Sequence, residues 1–165
     1  MIAANLGELF ASSTRDVFRL EVHQSYSVAS EEARLAAWRD GTEWPVGLTP
    51  WQERLSSLIP KGVRMRRVHV VELPLTEYVC WELESYARNA EFGEEIRILP
   101  KRQAPLTLPS TDFWLFDERD VVLMHYNEAA ELTGRELYRG DTRAYLLARD
   151  RAWRAAQPLT AWQDR

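Results

Sequence analysis

The chain has 165 residues, of which 45% are hydrophobic and 28% are charged, values that fit one globular domain and exclude an intrinsically disordered chain. The single cysteine, Cys80, excludes an intramolecular disulfide, and no uncharged apolar run approaches the roughly 20 residues that cross a bilayer. A net charge of -4 gives no global attraction to nucleic acid, and the absence of a basic leader segment favours a cytoplasmic protein.

Helices and one strand are predicted for the first 60 residues. Leu6 to Ala11 favours a short amphipathic turn or helix. From Val17 to Val22, positions Val17, Arg19 and Glu21 alternate with apolar residues, which predicts a half-buried strand. A second helix is expected from Ser30 to Gly41, with Ser30 as its N-cap. After a loop, Thr49 and Pro50 begin a third helix, which ends at Lys61.

The next 40 residues predict a β-α-β unit with parallel strands. The β-branched run Val63 to Val71 indicates a strand, Pro74 to Ala90 has helical spacing, and Glu95 to Leu99 indicates a second strand. Three further strands separated by short polar turns predict an antiparallel meander. These are Asp112 to Phe116, Val121 to Tyr126 and Leu132 to Tyr138.

The predicted fold class is therefore α/β, more exactly a mixed α+β arrangement in which helices flank a mixed sheet. We expect a single domain over residues 1–165. It would consist of an N-terminal helical and strand extension (1–60), a βαβ-meander core (61–140), a C-terminal helix (141–157) and a frayed tail (158–165).

Two resemblances support this assignment. The runs GVRMRRVHVV and GEEIRILP, followed by a strand that precedes an aspartate, resemble the phospholipase D-like half-domain. Together with LPSTDFWLFDERDVVLMHY and ELTGRELY, they resemble more specifically an uncharacterised actinobacterial domain family, domain of unknown function 6879. That family is often encoded next to helix-turn-helix regulators, which implies a regulatory role and a partner of that kind.

The phospholipase D-like resemblance also implies a degenerate active site. Catalysis in that superfamily uses a His-x-Lys-x(4)-Asp motif, with histidine as the nucleophile and lysine as the phosphate ligand. If Asp117 stands at the aspartate position, Asp112 replaces the lysine and Ser110 replaces the histidine. An aspartate at the lysine position would repel a phosphodiester, so we expect no catalytic residues.

The remaining candidate ligand-binding residues lie near strand ends. His69 and His125 are predicted near the carboxyl ends of neighbouring strands, where α/β sheets bind ligands, although each is more simply a hydrogen-bonded structural histidine. Asp112, His125, His69 and Arg97 could serve as acid, base and anion clamp around one pocket. Together with Asp117 they complete the candidate set, and no spacing indicates a metal site or a cofactor.

The one basic cluster is Arg64, Arg66 and Arg67. With Arg97 on the adjacent strand it could bind an anion, while salt bridges to Glu95 or Glu72 are the simpler interpretation.

The leading functional hypothesis is a non-catalytic domain that senses a small or anionic ligand, or binds a protein, together with a helix-turn-helix regulator. The alternatives are a hydrolase-like enzyme with a divergent polar site and a weak nucleic-acid binder through Arg64, Arg66 and Arg67, although direct contact with nucleic acid is not favoured.

Overall fold

A computed structural model describes residues 1–163 and shows a seven-stranded mixed sheet with five α-helices within that range. The strands are β1 (Asp16–Glu21), β2 (Arg64–Val71), β3 (Glu95–Pro100), β4 (Asp112–Phe116), β5 (Asp120–Tyr126), β6 (Leu132–Tyr138) and β7 (Gln157–Pro158). The helices are α1 (Leu6–Ser12), α2 (Glu32–Asp40), α3 (Pro50–Leu58), α4 (Glu77–Ala90) and α5 (Arg143–Ala155). Positions 164 and 165, the end of the predicted tail, lie outside the described residues.

The strand order across the sheet is β6-β5-β4-β1-β2-β3-β7. Strands β1, β2 and β3 are parallel, and β4, β5 and β6 form an antiparallel meander that joins the sheet at β1. The mixed α/β class, the parallel pairing of β2 with β3 and the meander are thus confirmed. Residues 1–60, however, are not an extension of the core, because β1 lies at its centre between β2 and β4.

The predicted tail also differs from the structure. Residues 157 and 158 form β7, which pairs with β3 at the edge of the sheet. Leu159 and Trp162 then pack against the cluster around Ile98. The segment up to 163 is therefore docked through apolar contacts rather than frayed.

Local signals explain where the helices begin and end. Thr49 and Gln52 form a capping box, in which each side chain accepts a hydrogen bond from the other residue's backbone N–H, and Pro50 occupies the first turn. Gly41 ends α2 with a φ of 63°. The predicted N-cap at Ser30 is wrong by one residue, because Ser30 lies in a 3-10 turn and α2 begins at Glu32, with Glu31 as its N-cap and no side-chain cap.

The central sheet is covered on both faces. One face packs against α5 through Ala148 and Ala152, and we call it the α5 face. The other packs against α1, α3 and α4, and we call it the α4 face. Five of the six residues of β1 are buried, so β1 is not the half-buried strand that its alternation predicts. Within residues 1–163 no helix combines the length and apolarity that membrane crossing requires.

Candidate functional site

Polar side chains converge on the α4 face near the carboxyl ends of β1 and β2. Arg19 is in register with Arg67, and Glu21 is in register with His69, so the four side chains project from one face of two paired strands. Asp112, at the start of the antiparallel strand β4, reaches the same edge of the sheet. All five residues are buried. We call them the ionic floor.

Glu21 is the central acceptor of the ionic floor. One oxygen, Oε1, accepts from Nη1 of Arg67 at 2.7 Å, and Oε2 accepts from the hydroxyl of Tyr86 at 2.6 Å. Arg67 also donates to Glu94 at 2.8 Å, which makes a buried Glu-Arg-Glu chain. Burial alone would raise the pKa of Glu21, but Arg67 and then Arg19 hold it well below its usual range.

Only two of the three guanidinium nitrogens of Arg19 have hydrogen-bond acceptors in the part of the chain that the structure describes. Its Nη2 donates to Asp112 at 2.8 Å and to the hydroxyl of Tyr126 at 3.1 Å, while Nε lies 3.4 Å from Glu21. Asp112 accepts two further hydrogen bonds, from Tyr26 at 2.7 Å and from the backbone N–H of Val22 at 2.8 Å. The remaining nitrogen of Arg19, Nη1, is buried and has no hydrogen-bond partner among residues 1–163.

His69 lies between two hydrogen-bonding environments and is fully buried. Its Nε2 is 2.7 Å from the carbonyl oxygen of His23, while Nδ1 is 3.0 Å from the hydroxyl of Tyr86 and 3.1 Å from Oε2 of Glu82. Burial alone would lower the pKa of His69, but Glu82 and then Glu21 raise it to about 9. The raised pKa favours the imidazolium form, which can donate from both nitrogens. Burial also raises the pKa of Glu82, so the two groups compete for the proton that they share.

A cleft with aromatic walls opens above the ionic floor. It consists of two adjoining recesses that share eight lining residues, among them Glu21, Glu31, Trp51, Arg67 and Tyr126. The smaller recess, about 180 Å³, lies between α4 and the loop 41–49 and is further lined by Trp44, Tyr78, Trp81 and Glu82. The larger recess, about 720 Å³, is more open and reaches Phe10, Arg19 and Trp114.

Glu31 stands at the boundary of the two recesses. It accepts a hydrogen bond from the hydroxyl of Tyr78 at 2.7 Å. Burial raises the pKa of Glu31 to about 7, and the nearby Glu82 and Glu21 act in the same direction against the hydrogen bond from Tyr78. The protonation state of this carboxyl group therefore changes near neutral pH.

Arginines predominate around the larger recess. Besides Arg19 and Arg67, its lining includes Arg34, Arg54 and Arg135, against two carboxylates, Glu21 and Glu31. Arg54 lies over the ring of Phe10 at 4.1 Å, and burial lowers its pKa. The larger recess thus carries a surplus of positive charge.

Three residues of the site could in principle hold a metal ion. Glu21, His69 and Glu82 present ligand atoms within 4.8 Å of one another. Yet Glu21 already neutralises Arg67, and the His69 imidazolium lies between the two carboxylates, where a cation would bind. A divalent ion would have to displace that proton beside two guanidinium groups, so the set fits an ion-pair network better than a metal centre.

The structure brings together only part of the predicted site. His69 and Asp112 both belong to the ionic floor. Arg97 is in register with Val68 and donates to the carbonyl oxygen of Trp153 in α5, which places it on the α5 face. His125 follows Met124, the cross-strand partner of Asp112, and therefore also points to the α5 face, where it pairs with Glu136 at 2.9 Å. The predicted four-residue pocket is wrong because the sheet separates its members.

Asp117 lies outside the cleft. It occupies the β4–β5 turn with a φ of 49°, and its carboxylate accepts from the backbone N–H groups of Thr14, Arg15 and Asp16 at 2.9 to 3.0 Å. Burial alone would raise the pKa of Asp117, but these hydrogen bonds lower it. Asp117 therefore ties the turn to the segment before β1.

The predicted arginine patch is divided between the two faces and paired with acids. Arg64 forms a two-bond contact with Glu95 at 2.6 and 2.8 Å, and Arg66 does the same with Asp16 at 2.9 Å. Arg67 points to the opposite face and is part of the ionic floor. The salt bridge to Glu95 is confirmed, whereas Glu72 pairs with Lys101 instead.

Sequence reasoning missed most of the site. Arg19 and Glu21 were assigned to the polar side of a half-buried strand, and Glu82 lies on a helix face that its apolar neighbours dominate. One available signal was that β2 places Arg67 and His69 on one face of a strand otherwise rich in valine. The four tyrosines that line the cleft or bind the ionic floor gave no such signal. They are Tyr26, Tyr78, Tyr86 and Tyr126.

The fold and the cleft together define a mixed α/β domain with a candidate ligand-binding site. The sequence profile of a family described as domain of unknown function (DUF6879) matches residues 4–164, and the chain belongs to that family. No curated protein matches it. Among solved structures, TrmBL2, an archaeal chromatin protein described as showing a novel mode of DNA binding, is similar at 12% identity and a TM-score of 0.49. The match covers 92% of this chain and 49% of TrmBL2, and it supports no inference about function.

Proposed function

We propose that the domain binds a small polar organic molecule in the cleft and senses it on behalf of a helix-turn-helix regulator. The observation that carries the proposal is the ionic floor beneath aromatic walls, at the carboxyl ends of β1 and β2. Ligand sites of α/β sheets occur at this edge, and a few fixed polar groups within apolar walls are typical of them. The two recesses fall within or near the size range of small-molecule sites.

The polar groups of the ionic floor are already hydrogen-bonded or ion-paired, which favours ligand binding over catalysis. A general base needs a free lone pair close to the substrate. Asp112 accepts three hydrogen bonds, Glu21 is paired with Arg67, and both nitrogens of His69 have partners. A floor of this kind can hold and orient a ligand without exchanging protons with it. The argument applies to the floor and not to Glu31, which lines the cleft above it and changes its protonation state near neutral pH.

The phospholipase D-like relationship is part of the same proposal. In that relationship Ser110, Asp112 and Asp117 stand at the histidine, lysine and aspartate positions. The roles of Asp112 in holding Arg19, and of Asp117 in holding backbone N–H groups, support a scaffold that has no catalytic function.

The loop 41–49 provides a route from ligand to partner. Trp44 lines the smaller recess, stacks on Trp81 with ring centroids 6.2 Å apart, and lies under Arg88 at 3.7 Å. Val46 and Leu48 of the same loop are exposed. A ligand beneath Trp44 would change the position of these two apolar side chains, which a regulator can read.

Binding is tested by calorimetric titration of hits from a thermal-shift screen of small polar compounds. Trp51→Ala, which alters a wall of both recesses, should weaken binding at least tenfold, whereas Trp153→Ala, on the α5 face, should leave the affinity unchanged. Equal effects of the two variants, or a complete absence of hits, would refute the binding function. Co-purification with the regulator encoded nearby, measured with and without the ligand, tests the partner.

A further inference from the structure

We propose that the ligand is a small organic anion, and that Nη1 of Arg19 receives its carboxylate or phosphate oxygen in the larger recess. This inference rests on the proposed function and specifies the ligand that the cleft accepts.

The first argument is the incomplete pairing of Arg19. The residue is 3% exposed, yet only Nε and Nη2 face protein acceptors, and Nη2 is held by Asp112 and Tyr126. The unpartnered nitrogen belongs to a side chain that lines the larger recess. Since almost none of that atom is accessible, a ligand oxygen reaches it only when the neighbouring side chains move apart. Buried guanidinium donors are normally satisfied, and a ligand oxygen in this recess would complete the set.

The second argument is that the protein holds Arg19 in place. Its guanidinium lies over the ring of Trp114 at 5.0 Å and is fixed by Asp112, which is itself fully buried and held by Tyr26 and the backbone N–H of Val22. A donor fixed in this way loses little conformational entropy when it binds an anion.

The third argument is the charge of the surroundings. Arg34, Arg54 and Arg135 line the same recess, and none of them forms a salt bridge within residues 1–163. Glu21 is occupied by Arg67, and Glu31 is the remaining carboxylate of the lining. The field inside the recess therefore attracts an anion and repels an amine.

The walls indicate what carries the anionic group. Phe10, Trp51 and Trp114 form a group of edge-on and tilted rings with centroids 5.1 to 5.8 Å apart. Tyr126 adds a fourth ring to the lining. Such walls favour a planar or apolar body, so the expected ligand is an aromatic or similarly flat carboxylate or phosphate ester.

The test uses four probes that share one ring and differ in charge: benzoate, phenyl phosphate, benzamide and benzylamine. Each is titrated into the full chain, and inorganic phosphate serves as a competitor. We expect benzoate or phenyl phosphate to bind at least tenfold more tightly than benzamide, and benzylamine to bind weakest. The relative affinities of benzoate and phenyl phosphate identify the preferred anion.

Variants at the rim avoid disturbing the buried floor. Arg54→Met and Arg135→Gln should each weaken anion binding at least threefold, whereas Arg119→Gln, in the exposed β4–β5 turn, should not. Arg19→Lys should abolish the preference for anions if the variant folds, as judged by its thermal transition.

The possible outcomes separate the two proposals. Equal binding of benzamide and benzoate, or tighter binding of benzylamine, overturns the anion inference and leaves a ligand-binding cleft. If inorganic phosphate competes as strongly as phenyl phosphate, the aromatic walls contribute nothing to binding. That result overturns the inference that the ligand has an organic body. If none of these probes binds, and a broader screen also gives no hit, the proposed function fails with the inference.

Discussion

Replacing Glu21 by glutamine tests whether the ionic floor is a tightly coupled, buried network. The side chain of Glu21 is 8% exposed, and its carboxylate accepts hydrogen bonds from Arg67 at 2.7 Å, from Tyr86 at 2.6 Å and from Arg19 at 3.4 Å. Removing one partner of a buried ion pair costs about 3–5 kcal/mol of unfolding free energy. Since Arg67 keeps Glu94 and Arg19 keeps Asp112, we expect the lower end, about 3 kcal/mol.

Urea unfolding at pH 7 measures this loss. With a slope of about 2 kcal/mol per molar urea, Glu21→Gln should lower the midpoint by about 1.5 M. The matched control is Glu95→Gln, which removes a bidentate pair to Arg64 whose two side chains are 50% and 45% exposed. Exposed pairs contribute about 0–1 kcal/mol, so the control should shift the midpoint by less than about 0.5 M. A loss for Glu21→Gln no larger than that of the control would refute the reasoning.

Further predictions concern pH, the β4–β5 turn and metals. Protonated His69 stabilises the fold, because its pKa is raised from 6.5 to about 9. This contribution to the free energy of unfolding is fully present below pH 6.5, and about 3 kcal/mol of it is lost as pH rises through 9. Urea unfolding at pH 6.5 and 9.5 measures this loss, and an NMR titration of His69 near pH 6.5 would contradict it. Because the pKa of Glu31 is raised from 4.5 to about 7, its ionisation destabilises the fold as pH rises. The melting temperature of Glu31→Gln should therefore exceed that of the unmodified protein at pH 8 and equal it at pH 4. Asp117→Ala should cost about 2 kcal/mol through lost backbone hydrogen bonds, and a cost equal to that of Asp120→Ala would show that these bonds do not matter. EDTA should leave the melting temperature unchanged, and a fall of several degrees would reassign the Glu-His-Glu set as a metal site.

The elements that sequence predicts well are those with local causes. The capping box of Thr49 and the glycine after α2 lie within a few residues of the helix ends that they define. Strand β4 was predicted with its observed bounds, Asp112–Phe116, because an apolar run is bracketed by polar turns. By contrast, the strand 157–158 has two residues, one of them a proline, and its pairing depends on β3, about 60 residues earlier in the chain.

The site was harder to predict because its stabilisation is non-local. Arg19 and Glu21 alternate with apolar residues, a pattern that usually indicates a strand with one solvent-exposed face. They are buried because Asp112, 93 residues away from Arg19, and Arg67, 46 residues away from Glu21, supply the opposite charges. His69 and Asp112 were found because they lie at strand ends, whereas Arg97 and His125 were grouped with them without knowledge of the sheet faces.

The central claim is that the cleft on the α4 face binds a small organic ligand. Tryptophan indole N–H signals in a ¹H–¹⁵N spectrum test it directly, because the chain carries reporters inside and outside the cleft. On titration with the tightest-binding probe, the signals of Trp51 and Trp114 should shift, while those of Trp153 and Trp162 should stay fixed. Shifts confined to Trp153 and Trp162, or equal small shifts of all the indoles, would contradict the claim.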